Sequence, residues 1–253
     1  MTRILTFNVH SCVGTDRRLD VGRIADVIAA QSPDIVALQE VDVGRARTGG
    51  VDQAHAIAER LGMVSRFNVT GRVEEEAYGD AILTSLPERL VKAGPLPAYA
   101  LLRMEPRGAL WVAIDVCGRD LQVVNTHLGL APPEQLVQVK ALLGPEWLGR
   151  SARSDPTILV GDLNTGARGA ACRRLRARLN DARAAVRRAG STATFPSNMP
   201  LRRLDHVFVS DAIRVRSIHV ANDALARRAS DHLPLVVDFE IMKPVGTNSR
   251  NEN

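Results

Sequence analysis

Six short apolar runs, each bounded on one side by polar residues of a few recurring types, constrain this chain more than any other feature. The runs ILTFNVH (4–10), DIVALQE (34–40), LQVVNTHL (121–128) and TILVGDLN (157–164) carry their polar residues at the C-terminal end. LDHVFVS (204–210) and SDHLPLVVDF (230–239) carry them at the start. Short apolar runs of this kind read as buried strands, and polar residues two apart at a strand's end share one face. Six strands delivering Asn, Glu, His, Asp and Asp-His to their ends predict a β-rich core with a single polar site.

Other strand-like runs fall near 64–69, 79–85, 109–116 and 213–220, and helical patterns fit 20–31, 51–62, 133–148 and 169–188. Strands and helices neither alternate strictly nor separate into blocks. An α/β (α+β) fold of two mixed β-sheets, packed face to face with helices outside, accommodates them. The length suits one large domain, expected over 1–242, with the polar stretch 243–253 a disordered tail.

Three cysteines without CxxC spacing argue against a disulfide framework or a zinc site. The chain enters a strand almost at once, with no leader-like apolar region, and no apolar run is long enough to cross a bilayer. A cytoplasmic monomer is the expectation. The formal charge of +5 is uneven: residues 150–228 hold sixteen Arg and six Asp, hence +10, leaving −5 elsewhere. Much of the excess lies in 168–188, where Leu and Ala recur at helical spacing. A solvated Arg face is the favoured reading there, and a phosphate-attracting surface the other.

Chemistry concentrates at the strand ends. A hard cation such as Mg²⁺ takes oxygen ligands, and Glu40, ending DIVALQE, is the best ligand candidate. Asp162 could orient or deprotonate a water, and Asn164 could hold a phosphoryl oxygen without adding negative charge. The Asp231-His232 pair, with Asp205 on a separate strand, suggests a histidine oriented by a carboxylate and held protonated against a phosphate. His127 in NTHL is a candidate donor to a phosphoryl oxygen, and His206 reads equally as a supporting or a core histidine. No P-loop, dinucleotide loop, GxSxG or HExxH is present.

In order and wording these clusters resemble the endonuclease/exonuclease/phosphatase superfamily, over Arg3 to about Ile241. The resemblance implies a DNase I-like, four-layer α/β/β/α sandwich and Mg²⁺-dependent hydrolysis of phosphate esters, with Mn²⁺ a substitute. It matches the family's metal glutamate to Glu40 and its N-terminal metal-site Asn to Asn8, with Asp231 also near the metal. It matches the ExR arginine to Arg107, the central Tyr or His to His127, and the GDxN pair to Asp162 and Asn164. Asp205 matches the aspartate that orients the terminal histidine, and Ser230-Asp231-His232 the final SDH. His10 replaces the family's aspartate two residues after the first Asn, and is expected to bind substrate with Arg107 and Asn164. Tyr78-Gly79-Asp80 stands where the family has YGN.

The mechanism implied is a single in-line displacement by an Asp162-activated water. A phosphodiesterase is the favoured function, with a DNA or RNA nuclease next and a lipid or inositol phosphate phosphatase third. Loops 12–20, 42–52, 70–78 and 94–107 would wall the pocket, with Arg45, Arg47, Arg72 and Arg103 available for phosphates. A non-catalytic binding module is disfavoured, because each motif keeps a chemically competent residue.

Overall fold

A computed structural model describes residues 1–73, 76–99, 105–149, 155–187 and 190–242, with backbone only at 72 and 73. Twelve strands form two six-stranded mixed sheets among the described residues. The first runs in the order β11 (Ile213–Val220), β12 (Leu235–Ile241), β1 (Thr2–Asn8), β2 (Ile35–Val43), β4 (Glu76–Thr84), β3 (Val64–Val73). The second runs β5 (Glu88–Pro95), β6 (Gly108–Asp115), β7 (Asp120–Thr126), β8 (Thr157–Asp162), β10 (Asp205–Val209), β9 (Asn180–Asp181). Each sheet has one parallel pair, β1–β2 in the first and β7–β8 in the second.

Side-chain alternation divides the apolar residues into three layers. Leu5, Phe7, Val36, Leu38 and Leu83 face outward from the first sheet onto α1 (Val21–Ala29), α2 (Gln53–Leu61) and α6 (Ala224–Ala229). Val124, Leu159 and Phe208 face outward from the second onto α3 (Pro132–Leu142) and α4 (Ala170–Arg176). Ile4, Ile35, Ile82, Val123, Val160 and Val207 fill the space between the sheets. The result is the four-layer sandwich. Asp20, Asp52 and Asp223 cap their helices by accepting backbone N–H groups in the first turn, and Gly62 ends α2 in the left-handed conformation.

Several elements depart from the sequence reading. The helix expected over 169–188 is broken: α4 ends at Arg176, Asn180-Asp181 form β9 beside β10, and α5 is the short Ala182–Ala185. Tertiary contacts win over periodicity there, because the buried Asp181 carboxylate accepts both Arg203 Nη groups, lies 3.7 Å from Arg176, and caps Arg183 N. The helix expected over 133–148 stops at Leu142, ahead of Gly144-Pro145, which cannot continue it. Residues 70–78 belong mostly to the β3–β4 hairpin rather than a loop. Strand β5 and helix α6 carried no clear signal. The expected tail, 243–253, lies outside the described residues. None of the described helices is long and apolar enough to cross a membrane.

Candidate active site

The alternation that fills the inter-sheet layer also carries polar residues to one end of it. On β1, Ile4 faces the layer, so Asn8 does too; on β8, Ile158 and Val160 are followed by Asp162; on β10, Val207 and Val209 are preceded by Asp205. Asp80 on β4, two residues before Ile82, joins them, as does Asn125 on β7, two residues after Val123. His127 continues that parity just past the strand.

Glu40 is the exception. Ile35 and Ala37 face the layer, so parity assigns it to Gln39 and sends Glu40 toward the helices. A register shift between Leu38 and Val41, with Glu40 at φ +59°, re-aims the carboxylate. The irregularity is bridged from the opposite sheet, where Asn125 Nδ2 donates to Leu38 O (2.8 Å) and Ala81 O (2.9 Å). Asn125 Oδ1 accepts from Gln39 Nε2 at 2.7 Å. His10, Ser11, Cys12 and Asn164 also adopt positive φ, so left-handed non-glycine residues gather at this end of the sandwich. Gly161 leads into the site at φ +138°, and a Cβ there would stand 1.9 Å from Thr126 O.

The expected residues converge. Asn8 Nδ2 donates to Glu40 Oε1 (2.9 Å) and to Asp162 Oδ2 (3.1 Å), while Asn8 Oδ1 accepts from His10 N. Asp162 Oδ1 accepts from Asn164 N at 2.8 Å, so the pair is linked through a turn rather than along a strand face. His232 Nδ1 donates to Asp205 Oδ2 (2.8 Å), and its Nε2 lies 3.6 Å from Asp162 Oδ2. Phe195 packs on the His232 ring, with centroids 4.9 Å apart. Ser230 Oγ donates to Asn8 O, which holds the segment carrying Asp231 and His232 against β1.

Arg107 Nη1 donates to His127 Nδ1 at 3.0 Å. A guanidinium can only donate, so Nδ1 is the accepting nitrogen in this contact and Nε2 is the one turned to the site. That nitrogen faces Asn164 Nδ2 (2.9 Å) and Asp162 Oδ2 (3.6 Å). Burial and the Arg107 charge hold His127 well below its ordinary pKa, so the ring stays neutral. His232 is the opposite case. Burial opposes its charging, but Asp205, Asp162 and Asp231 outweigh that and raise it to about 10.

Burial, with the nearby Asp205 charge, lifts Asp162 to about 7. Burial likewise raises Glu40 above its ordinary range; the Asn8 hydrogen bond opposes this and the Asp231 charge adds to it. Asp80, which the sequence reading noted without giving it a role, is buried with Oδ2 unpartnered among the described residues and is pushed up to about 8 by burial. His206 is a core residue: Nε2 meets Thr165 O at 2.8 Å, and the ring borders Cys172.

Glu40 opens into a cleft of about 330 Å³ lined by His10, Ser11, Arg47, Tyr78 and Glu105, among others. His10 is half-exposed at its edge, 4.0 Å from Asp231. Of the arginines expected to meet phosphates, Arg47 is bound to Asp42, and Arg45 approaches Asp42 and Glu76. Arg103 and the Arg72 side chain lie outside the described residues.

Two groupings could attract a metal ion. Asp162, Asp205 and His232 bring ligand atoms within 4.8 Å of one another. His232 is cationic and already bound to Asp205, so this trio acts better as an acid–imidazole relay. Glu40 offers carboxylate oxygen to the cleft and Asp231 stands near its edge, 4.0 Å from His10; among the described residues the Asn8 amide is the hydrogen-bond donor to the Glu40 carboxylate. Carboxylate oxygens open to the cleft are the donors that a hard divalent cation takes. Asn8 turns its nitrogen toward both acids, so in this arrangement it orients the carboxylates.

Comparison with known proteins agrees with this geometry. The chain is 27% identical over 255 residues to the uncharacterized protein YbhP of Escherichia coli K12, covering 94% of this chain and 96% of YbhP. An endonuclease/exonuclease/phosphatase from Beutenbergia cavernae superposes with a TM-score of 0.77 at 26% identity, covering 97% of this chain and 73% of that one. The Bacteroides thetaiotaomicron mannosyl-6-phosphatase Bt3783 shares the fold, with a TM-score of 0.76 at 19% identity over 95% of this chain and all of its own. The profile of the Endonuclease/Exonuclease/phosphatase family matches residues 5–232, a span that takes in every site residue described above, and the chain belongs to that family of phosphoester hydrolases.

Proposed function

We propose that the chain is a Mg²⁺-dependent phosphodiesterase, with Mn²⁺ able to replace Mg²⁺. The observation that carries this reading is the meeting of Asp162 Oδ2 with Asn8, His127 and His232 at the head of the Glu40 cleft. Glu40 and Asp231 would hold the cation, beside Asn8; bound there, it would supply positive charge to a phosphoryl oxygen and to the departing oxygen. Asp162, raised to about 7, is suited to take the proton of an attacking water near neutral pH. His127 Nε2–H and the Asn164 amide donate to non-bridging oxygens. Protonated His232, oriented by Asp205, stabilises negative charge on the phosphoryl oxygens. Water oxygen bonds to phosphorus as its proton passes to Asp162, the ester P–O bond breaks, and the departing alkoxide takes a proton from solvent to leave as an alcohol beside a phosphomonoester.

The test is a panel of bis-p-nitrophenyl phosphate, phosphomonoesters, sphingomyelin and plasmid DNA, with Mg²⁺ and then with EDTA. The expected result is diester hydrolysis that EDTA abolishes and a rise in Tm on adding Mg²⁺ that Glu40→Gln loses. An unchanged Mg²⁺ response in Glu40→Gln would remove the cation from that residue, and monoester turnover alone would overturn the diester assignment.

A further inference from the structure

The cleft has a second wall that the proposed mechanism does not use. Arg47 is fixed there as a fork: Nε donates to Asp42 Oδ2 (2.8 Å) and Nη2 to Asp42 Oδ1 (2.7 Å) and Ser11 Oγ (3.0 Å). Asp42 is fully buried, and Thr48 Oγ1 reaches it as well, at 3.2 Å. Gln53 fixes the surrounding backbone, accepting from Asp42 N and donating to Ser11 O. This clamp leaves Arg47 Nη1 without a hydrogen-bond partner among the described residues, on a side chain that is half-exposed and lines the cleft. Its guanidinium carbon stands 5.8 Å from the centre of the Tyr78 ring.

Charge on this wall is balanced. Asp42 and Glu76 face Arg45 and Arg47, and the cleft is also lined by the carboxylates of Glu40 and of Glu105, the latter paired with Arg107. An anion beside Arg47 would meet a guanidinium already neutralised by Asp42. A hydroxyl suits the arrangement better, since it accepts from Nη1–H on one side and donates to carboxylate oxygen on the other. Tyr78 also lines the cleft, its ring lying beneath the Arg47 guanidinium and helping to fix it. A cleft of about 330 Å³ is at the small end of ligand sites, which run to roughly 300–1,000 Å³.

We propose that Arg47, clamped by Asp42, is a specificity-determining residue that recognises a hydroxylated, uncharged alcohol group of the ester, such as a glyceryl or sugar moiety. This rests on the phosphodiesterase reading above. A donor held rigid by Asp42 favours an ester that supplies its acceptor over an analogue that lacks one.

The test compares methyl glyceryl phosphate with methyl propyl phosphate, equal in charge and differing only in hydroxyls, by phosphorus NMR with Mg²⁺ present. The wild-type protein should favour the glyceryl ester by about tenfold or more in kcat/KM, chiefly through KM. Arg47→Lys keeps a charge on Asp42 but loses the fork, and should bring that ratio close to one. Should removing half of the ion pair unfold the protein, the double variant Asp42→Asn/Arg47→Gln removes both charges, and the same collapse is expected. A wild-type ratio near one, or a ratio unchanged in a folded variant, overturns the role of Arg47 while leaving the hydrolase reading intact. Hydrolysis of neither ester, nor of bis-p-nitrophenyl phosphate, overturns both.

Discussion

Asp162 concentrates the chemistry at the scale of single residues. Its Oδ2 receives Asn8 Nδ2 at 3.1 Å and lies 3.6 Å from Nε2 of both His127 and His232. The two rings are tuned apart: Arg107 and burial keep His127 neutral, whereas three aspartates keep His232 charged. Activity should rise as Asp162 loses its proton near pH 7 and fall as His232 loses its own near pH 10, the two limbs reporting on the coupled cluster. Asp162→Asn should lower kcat by roughly 10²–10⁴-fold.

The same substitution has an opposite effect on folding. Folding raises Asp162 from 3.8 to about 7, so it favours the protonated form; the associated stability is present below the unfolded value and is lost as pH climbs through 7. The amide that replaces the carboxyl never ionises. In EDTA, the Asp162→Asn protein should therefore melt above wild type at pH 8, with the gap closing toward pH 4. Activity within about tenfold of wild type, or a gap that widens in acid, would contradict this account.

At the scale of elements, strand parity was legible and its local violations were not. Alternation along ILTFN, TILVGD and DHVFV predicts that Asn8, Asp162 and Asp205 face one layer, and they do. DIVALQE predicts a strand ending in an acid, but not the shift between Leu38 and Val41 that turns Glu40 into the cleft. That shift is held by Asn125, 87 residues away from Leu38 in sequence, and such a partner leaves no local pattern. Edge strand β5 was missed for a related reason: it pairs with β6 alone and is largely exposed, so its residues need no alternation. Asn125→Leu would strand two buried carbonyls, at about 1–3 kcal/mol each. The expected outcome is a lowered denaturation midpoint and a weakened Tm response to Mg²⁺, because Glu40 loses its support. A variant destabilised but with an unchanged Mg²⁺ response would show that the bulge forms without Asn125.

At the scale of the whole molecule, charge and cleft are separated. The sequence places +10 in residues 150–228, while the active-site end gathers five carboxyls around Arg107 and His232. Arg173, Arg174 and Arg178 are exposed on and just after α4, whose Ala171, Cys172 and Leu175 bury against the outer face of the second sheet. The cleft opens instead at the end of the inter-sheet layer. A nucleic acid threaded through that cleft would not run along α4, whereas on a true backbone track each arginine removed from a phosphate lowers the log–log salt slope by about one. Replacing Arg173, Arg174 and Arg178 by Ala should thus leave small-diester hydrolysis unaltered and shift the salt slope of DNA affinity by less than about one. The measurement is DNA affinity at several salt concentrations for wild type and triple variant. A slope reduced by about two or more would make α4 a nucleic-acid surface, and would place polynucleotides ahead of small diesters as the substrate.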